Sequence, residues 1–490
     1  MNKPYSLKQF PYFLLLLPIF FVLHGVVENF GLVPYADAVK LSVIYLGSIL
    51  ALVAIAWLYY RKLMNAALAV FVFAVIYFFF GSFHDSLKRL TGNSFFSSYK
   101  VVLSILLLFV ILIIILLKRK NPSAKVFLFL NILFIILVAY DLLGIISKGK
   151  SLSNNNRFNK NFVRCDSCDH PDIYLIIADG YAGHQELNDL FNYDNSEFEN
   201  QLRQRGFHIV PNSKSNYNFT PFSIASMLNM DWLQGLEGSN TSKKDIALCY
   251  ATIKKSRAND FLQSLGYQFY NFSIFDYPGQ PSVIQPTFLP GKTLPITSQT
   301  LFNRLQRDLW YHLVVDLNLS SAKNAVLYRD QKNNNKIFSL TKQIAEAKNP
   351  NPKFIYTHLV MPHYPYYFKE DGKETPQDSL TETYWQNKTA FLSYLKYSNK
   401  IFLQLIDHII LKSAKPPVIV LMGDHGFREF KDNVEKKYHF MNLNAVYLPD
   451  RNYSNFYAGM SNINQFRVLF NSLFDQKFPV LKDSTSFLRE

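Results

Sequence analysis

Apolar residues are not spread evenly along this chain. Five long apolar segments crowd its first third, at about 11–27, 37–60, 65–84, 100–117 and 125–147. Each approaches the roughly 20 residues that a hydrocarbon core requires. Leu103 to Leu117 is an almost unbroken run of Leu, Ile, Val and Phe. The first segment is the weakest, with Pro18 inside it and His24 and Glu28 near its end. No small-residue cleavage site follows it and four more spans do, so it reads as a span rather than a removed signal. The pattern predicts a bundle of five transmembrane helices over residues 1–150.

After residue 150 the pattern changes. Residues 151–169 read as a linker, opening with the polar, Asn-rich stretch "SLSNNNRFNKN". From 170 to 490, apolar runs of four to seven residues alternate with helical periodicity. Candidate strands are Ile173–Ala178, Tyr267–Phe272, Lys353–Tyr356 continuing to Val360, Val418–Met422 and Asn444–Leu448. Asn324–Lys348 and Lys388–Lys412 carry the helical period. This alternation predicts an α/β domain with a mostly parallel sheet sandwiched by helices. Phe275 to Thr300 is Pro-rich and reads as a long surface excursion.

Charge gives the bundle an orientation. Lys3, Lys8, Arg61, Lys62, Lys118, Arg119, Lys120 and Lys125 fall on one side, against Lys40, Lys88, Arg89 and Lys100 on the other. Basic flanks stay inside, so the N-terminus is expected in the cytoplasm. An odd number of spans then places everything after about residue 148 outside an inner (cytoplasmic) membrane, in the periplasm or its equivalent. The formal net charge of +15 suits anionic lipid head groups, and part of it is these flanks. Nucleic acid is excluded as a partner, since no basic helix or zinc-finger spacing appears. Of three cysteines, Cys165 and Cys168 form a C-x-x-C and Cys249 stands apart. A small disulfide loop and a bridge to Cys249 both remain open. His24 and Glu28 read as interfacial, and His84, Asp85, Lys88 and Arg89 as a solvated loop.

Three strands end on chemically related residues. "DIYLIIADG" stops at Asp179, "FIYTHLVMPHYP" at His363 with His358 earlier, and "VIVLMGDHG" at Asp424 and His425. Ligands bind outside the carboxyl ends of such strands. Carboxylates together with imidazoles suit a divalent transition ion. His184 follows "ADGYAG" closely enough to approach it. In "NFTPFSIASMLNM", Thr220 precedes Pro221 and reads as a helix N-cap. Its hydroxyl, at a helix end that favours anions, is also a candidate nucleophile.

Together "LIIADG", "TPFSIASML", "LVMPHYP" and "MGDHG" resemble the sulfatase and alkaline-phosphatase superfamily. Against the sulfatase signature C-x-P-S-R-x-S-L-L-T-G, Ser223 and Ser226 fall in place, whereas Thr220 replaces the cysteine and Ile224 the arginine. Asp424-His425 stands where sulfatases carry Asp-Asn. A threonine nucleophile, one ion and five N-terminal spans are similar to lipoteichoic acid synthases and lipid A phosphoethanolamine transferases. That resemblance implies that Asp179, Thr220, Asp424 and His425 bind one Mn, Zn or Mg ion and that Thr220 is the nucleophile. It implies that His363 contacts the transferring phosphate or donates a proton, and that His439 is a further phosphate contact. The implied activity moves a phospholipid head group from a lipid donor to an envelope glycan or lipid acceptor through a phospho-threonine. Sulfate or phosphate ester hydrolysis, and a non-catalytic role in envelope assembly, are the alternatives.

Overall fold

The computed structural model describes residues 10–30, 33–92, 95–154, 162, 165, 168–236, 240–277, 279–283, 293–306, 324, 327–380, 384–431 and 433–489, with backbone alone at 149–154 and 243. The chain divides into two compact units, residues 1–158 with 286–323, and residues 159–285 with 324–490.

In the first unit, α1 (Tyr12–Glu28), α2 (Tyr35–Tyr60), α3 (Leu63–Thr91), α4 (Tyr99–Arg119) and α5 (Ala124–Asn154) are the long apolar segments of the sequence. Among the described residues, four helices, α2 to α4 and Ala124–Lys148 of α5, are long and apolar enough to cross a membrane, and α1 is shorter at 17 residues. Aromatic contacts knit them together. Phe21 of α1 stacks on Phe78 of α3 with centroids 4.6 Å apart, and Phe13 meets Phe127 of α5 edge-on at 5.3 Å. Ile105, Leu107 and Leu108 of α4 are each at least 60% exposed, an outward face that suits lipid rather than water. Polar groups at this depth need partners. Asn131 accepts from the Phe13 amide at 2.7 Å and donates to the Phe10 carbonyl at 2.8 Å, satisfying the start of α1. His24 meets the buried Asp141 at 3.2 Å.

Residues 293–306 lie within the stretch that reads from sequence as one outer domain, yet they cluster with these helices. The cause is a buried apolar anchor and an ion pair. Ile296 is 2% exposed in the same core as Phe13 and Phe21, and Arg304 holds both carboxylate oxygens of Asp85. Asp85 is therefore paired, and His84 is buried against the Ser97 carbonyl at 2.8 Å; neither belongs to a solvated loop.

The second unit contains a six-stranded sheet in the order β2-β6-β5-β1-β4-β3. The strands are β1 (Ile173–Ala178), β2 (His208–Ile209), β3 (Gln268–Phe272), β4 (Lys353–Leu359), β5 (Val418–Gly423) and β6 (Asn444–Tyr447). β3, β4, β1 and β5 run parallel, while β6 and β2 add an antiparallel edge. Alternate residues of β1 enter two separate cores. Ile173, Leu175 and Ile177 meet the Thr220–Asn229 and Gln465–Phe474 helices, and Tyr174 and Ile176 meet the Arg329–Glu346 and Lys388–Lys412 helices. Every β1 side chain is buried, which explains a continuous apolar run with no alternation. The register pairs Ala178 with Leu359 on one side and Gly423 on the other. The residues that follow β1 and β5, Asp179 and Asp424, thus emerge side by side.

Leu175 is wholly buried at the centre of this sheet. Leu175→Ala should cost about 3 kcal/mol and lower the melting temperature of the full chain in detergent by several degrees. Leu411→Ala, at a position 77% exposed, should leave it within experimental error.

Candidate metal centre

Asp179, Asp424 and His425 offer ligand atoms that all lie within 4.8 Å of one another, and all three residues are buried. Their orientations follow from the hydrogen bonds around them. Asp424 Oδ1 accepts from the amides of Gly180 at 2.9 Å and His425 at 3.0 Å, whereas its Oδ2 is buried with no hydrogen-bond partner. Asp179 repeats the arrangement. His358 Nε2 lies 3.4 Å from Oδ2, and Oδ1 is buried without a partner. His358 is itself steadied by the Tyr356 hydroxyl, 3.1 Å from Nδ1. The His425 Nδ1–H donates to the Gly426 carbonyl at 2.7 Å. Its Nε2 lone pair therefore faces the carboxylates, 3.5 Å from Asp424 Oδ2 and 3.9 Å from Asp179 Oδ1.

Glycines flank Asp424-His425 because the backbone is crowded there. A Cβ on Gly423 would come within 2.7 Å of the Tyr181 carbonyl, and one on Gly426 would collide with the carbonyls of Tyr438 and Met441 and with Glu186. The Asp424 carbonyl accepts from the Ser223 hydroxyl at 2.6 Å and from Asn462 Nδ2 at 3.2 Å, so the loop is pinned from two further elements. Asn462 carried no signal in the sequence, because it belongs to a polar turn with no neighbouring motif.

Thr220 opens the helix Thr220–Asn229, but it is not the cap. The N-cap is Phe219, and no side chain caps this end. The sequence reading of Thr220 as N-cap is corrected by one residue, since Pro221 tolerates either first position of the helix. The Thr220 hydroxyl is instead 3.2 Å from His425 Nε2. His363 lies across Gly180 from the cluster, with Cδ2 3.6 Å from where a Gly180 Cβ would stand. Its amide donates to the Asp179 carbonyl at 3.1 Å. His184 turns away to Glu199 at 3.0 Å and is not among the grouped ligands.

Electrostatics match this arrangement. Burial opposes ionisation of Asp179, but the imidazoles of His363, His358 and His425 outweigh it and hold the carboxyl below its ordinary range. His439 is pushed down to about 4 by burial, then by His425 and Arg428. Two buried carboxylates with unsatisfied oxygens, facing an imidazole lone pair, are a donor set that fits a divalent ion. Elsewhere in the unit Cys165 is bonded to Cys168, and Cys249 is a buried free thiol.

Asp424→Asn should lower bound divalent metal to a small fraction of the wild-type stoichiometry, read by elemental analysis after dialysis. His439 contributes acid sensitivity of defined sign. Its folded pKa lies below its unfolded value near 6.5, so the unfolded chain binds more protons between about pH 6.5 and 4, and stability falls as pH is lowered through that window. His439→Gln should flatten the decline in melting temperature across that window.

The family model described as sulfatase matches residues 260–467, a span that includes His363, Asp424, His425 and His439 and begins after Asp179 and Thr220. A comparison with curated proteins gave no match. Among solved structures, the zinc complex of the C-terminal periplasmic domain of EptC from Escherichia coli is 13% identical, with a TM-score of 0.40, covering 67% of this chain and 90% of that one. The corresponding domain of phosphoethanolamine transferase EptC from Campylobacter jejuni is 14% identical, with a TM-score of 0.36, covering 66% and 97%. The putative sulfatase YidJ from Bacteroides fragilis is 14% identical, with a TM-score of 0.39, covering 62% and 74%. Residues 260–467 thus match the sulfatase family model, and they are preceded in sequence by apolar helices of membrane-spanning length.

Proposed function

We propose that this protein is an integral membrane, metal-dependent phospho-group transferase of the sulfatase-like family. It takes a head group from a phospholipid donor and passes it to an envelope glycan or lipid through a phospho-threonine at Thr220. The observation that carries this reading is the placement of the Thr220 hydroxyl. It is excused from capping its own helix and held at 3.2 Å by the lone pair of His425, beside two partnerless carboxylate oxygens.

Asp179, Asp424, His425 and the Thr220 oxygen would hold one Mn, Zn or Mg ion. Such an ion supplies positive charge that favours the alkoxide form of a bound hydroxyl and neutralises phosphoryl oxygens. The remaining work falls to this chain's own residues. The Thr220 hydroxyl loses its proton to solvent and its oxygen attacks the diester phosphorus, forming one P–O bond as the bond to the lipid oxygen breaks. His363, across Gly180, donates the proton that the departing oxygen needs. The start of the Thr220–Asn229 helix favours the added negative charge. An acceptor hydroxyl then attacks in line, giving its proton to His363 as the phosphorus–Thr220 bond breaks, and the freed Thr220 oxygen regains a proton from solvent. The tail stays in the cytoplasm and the catalytic unit faces outward from an inner membrane. A membrane-embedded chain meets a lipid donor at high local concentration, which supports a phospholipid as the source.

Hydrolysis of sulfate or phosphate esters is the second reading, favoured by the sulfatase family match itself. Purified full chain assayed in parallel with a phospholipid and an aryl sulfate separates the two. Thr220→Ala should lower head-group release by at least about 10³-fold while Thr220→Ser retains part of it. Mass spectrometry of wild-type protein incubated with donor should find the head-group mass on Thr220. Release at the wild-type rate by Thr220→Ala would sink the reading.

A further inference from the structure

We infer that Arg428 is a substrate-binding residue whose guanidinium engages phosphoryl oxygens at this site. The inference rests on the phospho-transfer reading above and adds the group that recognises the anion. Arg428 follows His425 by three residues, in the loop after β5. Its guanidinium carbon stands 4.4 Å from the centre of the Phe219 ring, and Phe219 immediately precedes Thr220. One cation is thereby held between the chain that carries the nucleophile and the loop that carries two of the proposed ligands. It lines a small cavity with Gly180, His363, Tyr364 and His425, and its side chain is 21% exposed.

The charges at the site give this cation a task. A divalent ion offsets Asp179 and Asp424 and leaves the cluster neutral. An alkoxide at Thr220 and a phosphodiester each add a negative charge that nothing in the cluster balances. A guanidinium stays protonated throughout, and its planar fork of five N–H donors matches tetrahedral oxyanions two bonds at a time. Glu429 Oε1 lies 3.4 Å from Nε, one edge of that fork. Stacking on Phe219 restrains the guanidinium before substrate arrives, so less conformational freedom is lost on binding. A purely structural reading of the same stack is a strut that ties the start of the Thr220–Asn229 helix to the metal loop. The two readings differ in what they control, anion affinity in one and loop integrity in the other.

Calorimetric titration of the metal-loaded full chain with inorganic phosphate tests this. Arg428→Gln should weaken phosphate binding at least about tenfold, with metal stoichiometry unchanged and the effect on turnover concentrated in KM for the lipid donor. Arg428→Lys should recover part of the loss by restoring charge without the fork. Equal phosphate affinity in wild type and Arg428→Gln overturns the inference, as does a parallel loss of metal, which assigns Arg428 to the strut alone. If Arg428→Gln does not fold, Arg428→Lys carries the test, expected to bind phosphate severalfold more weakly than wild type and overturning the inference if it binds equally. Failure of the metal-loaded wild type to bind phosphate at all overturns the transfer reading itself.

Discussion

Two carboxylate oxygens, Asp179 Oδ1 and Asp424 Oδ2, are buried with no hydrogen bond, and the site's chemistry depends on that fact. At an effective dielectric of about 20, like charges some 4 Å apart repel by about 4 kcal/mol, before any desolvation cost. Asp179 does not escape by protonation, since the surrounding imidazoles favour its charged form. An arrangement of this kind persists only when something else compensates it, and a cation is the compensation that this donor set describes. The sheet makes the conflict unavoidable. β1 is central, with β5 hydrogen-bonded in parallel so that Ala178 faces Gly423, and the next residue on each strand is an aspartate.

The surroundings spend their hydrogen bonds on one oxygen of each carboxylate and leave the other. Gly180 and His425 amides take Asp424 Oδ1; His358, backed by Tyr356, takes Asp179 Oδ2. Outer contacts of this sort fix the direction in which a ligand atom points, and metal sites are sensitive to them. Glycine at 423 and 426 belongs to the same requirement, because side chains there would push the loop off the backbone beneath it. The abrupt end of the apolar run "VIVLMGDHG" is thus a buried strand that delivers two charged-site residues through a turn too tight for anything but glycine at its edges.

Much of this was legible in the sequence, for identifiable reasons. The strands Ile173–Ala178 and Val418–Gly423 announce themselves as unbroken apolar runs because both of their faces are covered. The helix Lys388–Lys412 is long enough for its period to define both ends. β2, at two residues, has no period to detect, and the antiparallel direction of β6 is set by pairing rather than by composition. Phe275 to Thr300 reads as surface excursion because it is Pro-rich, whereas the placement of its last residues and of those just after it is decided by Ile296 and by Arg304 with Asp85, contacts more than 200 positions apart. Asp179, Asp424 and His425 were visible as strand ends. His358 stands in the sequence as the earlier imidazole of the run that ends at His363, and the register places it beside Asp179. Phe219 and Arg428 are unremarkable until two distant segments meet.

The one-residue shift at the start of the Thr220 helix bears most directly on mechanism. A threonine hydroxyl that caps a helix accepts a bond from the helix's own amide, which lowers its availability as a nucleophile and fixes its lone pairs inward. Here Phe219 holds the capping position with no side chain to offer, so this helix end forgoes a contribution of about 1 kcal/mol. What it gains is an oxygen whose hydrogen-bond partner is His425 Nε2, a group that can only accept while its Nδ1–H is committed to the Gly426 carbonyl. With the imidazole neutral and no ion on Nε2, the hydroxyl donates its proton toward it, leaving its lone pairs for an electrophile. A local cost in helix stability thus sets the direction in which the threonine reacts.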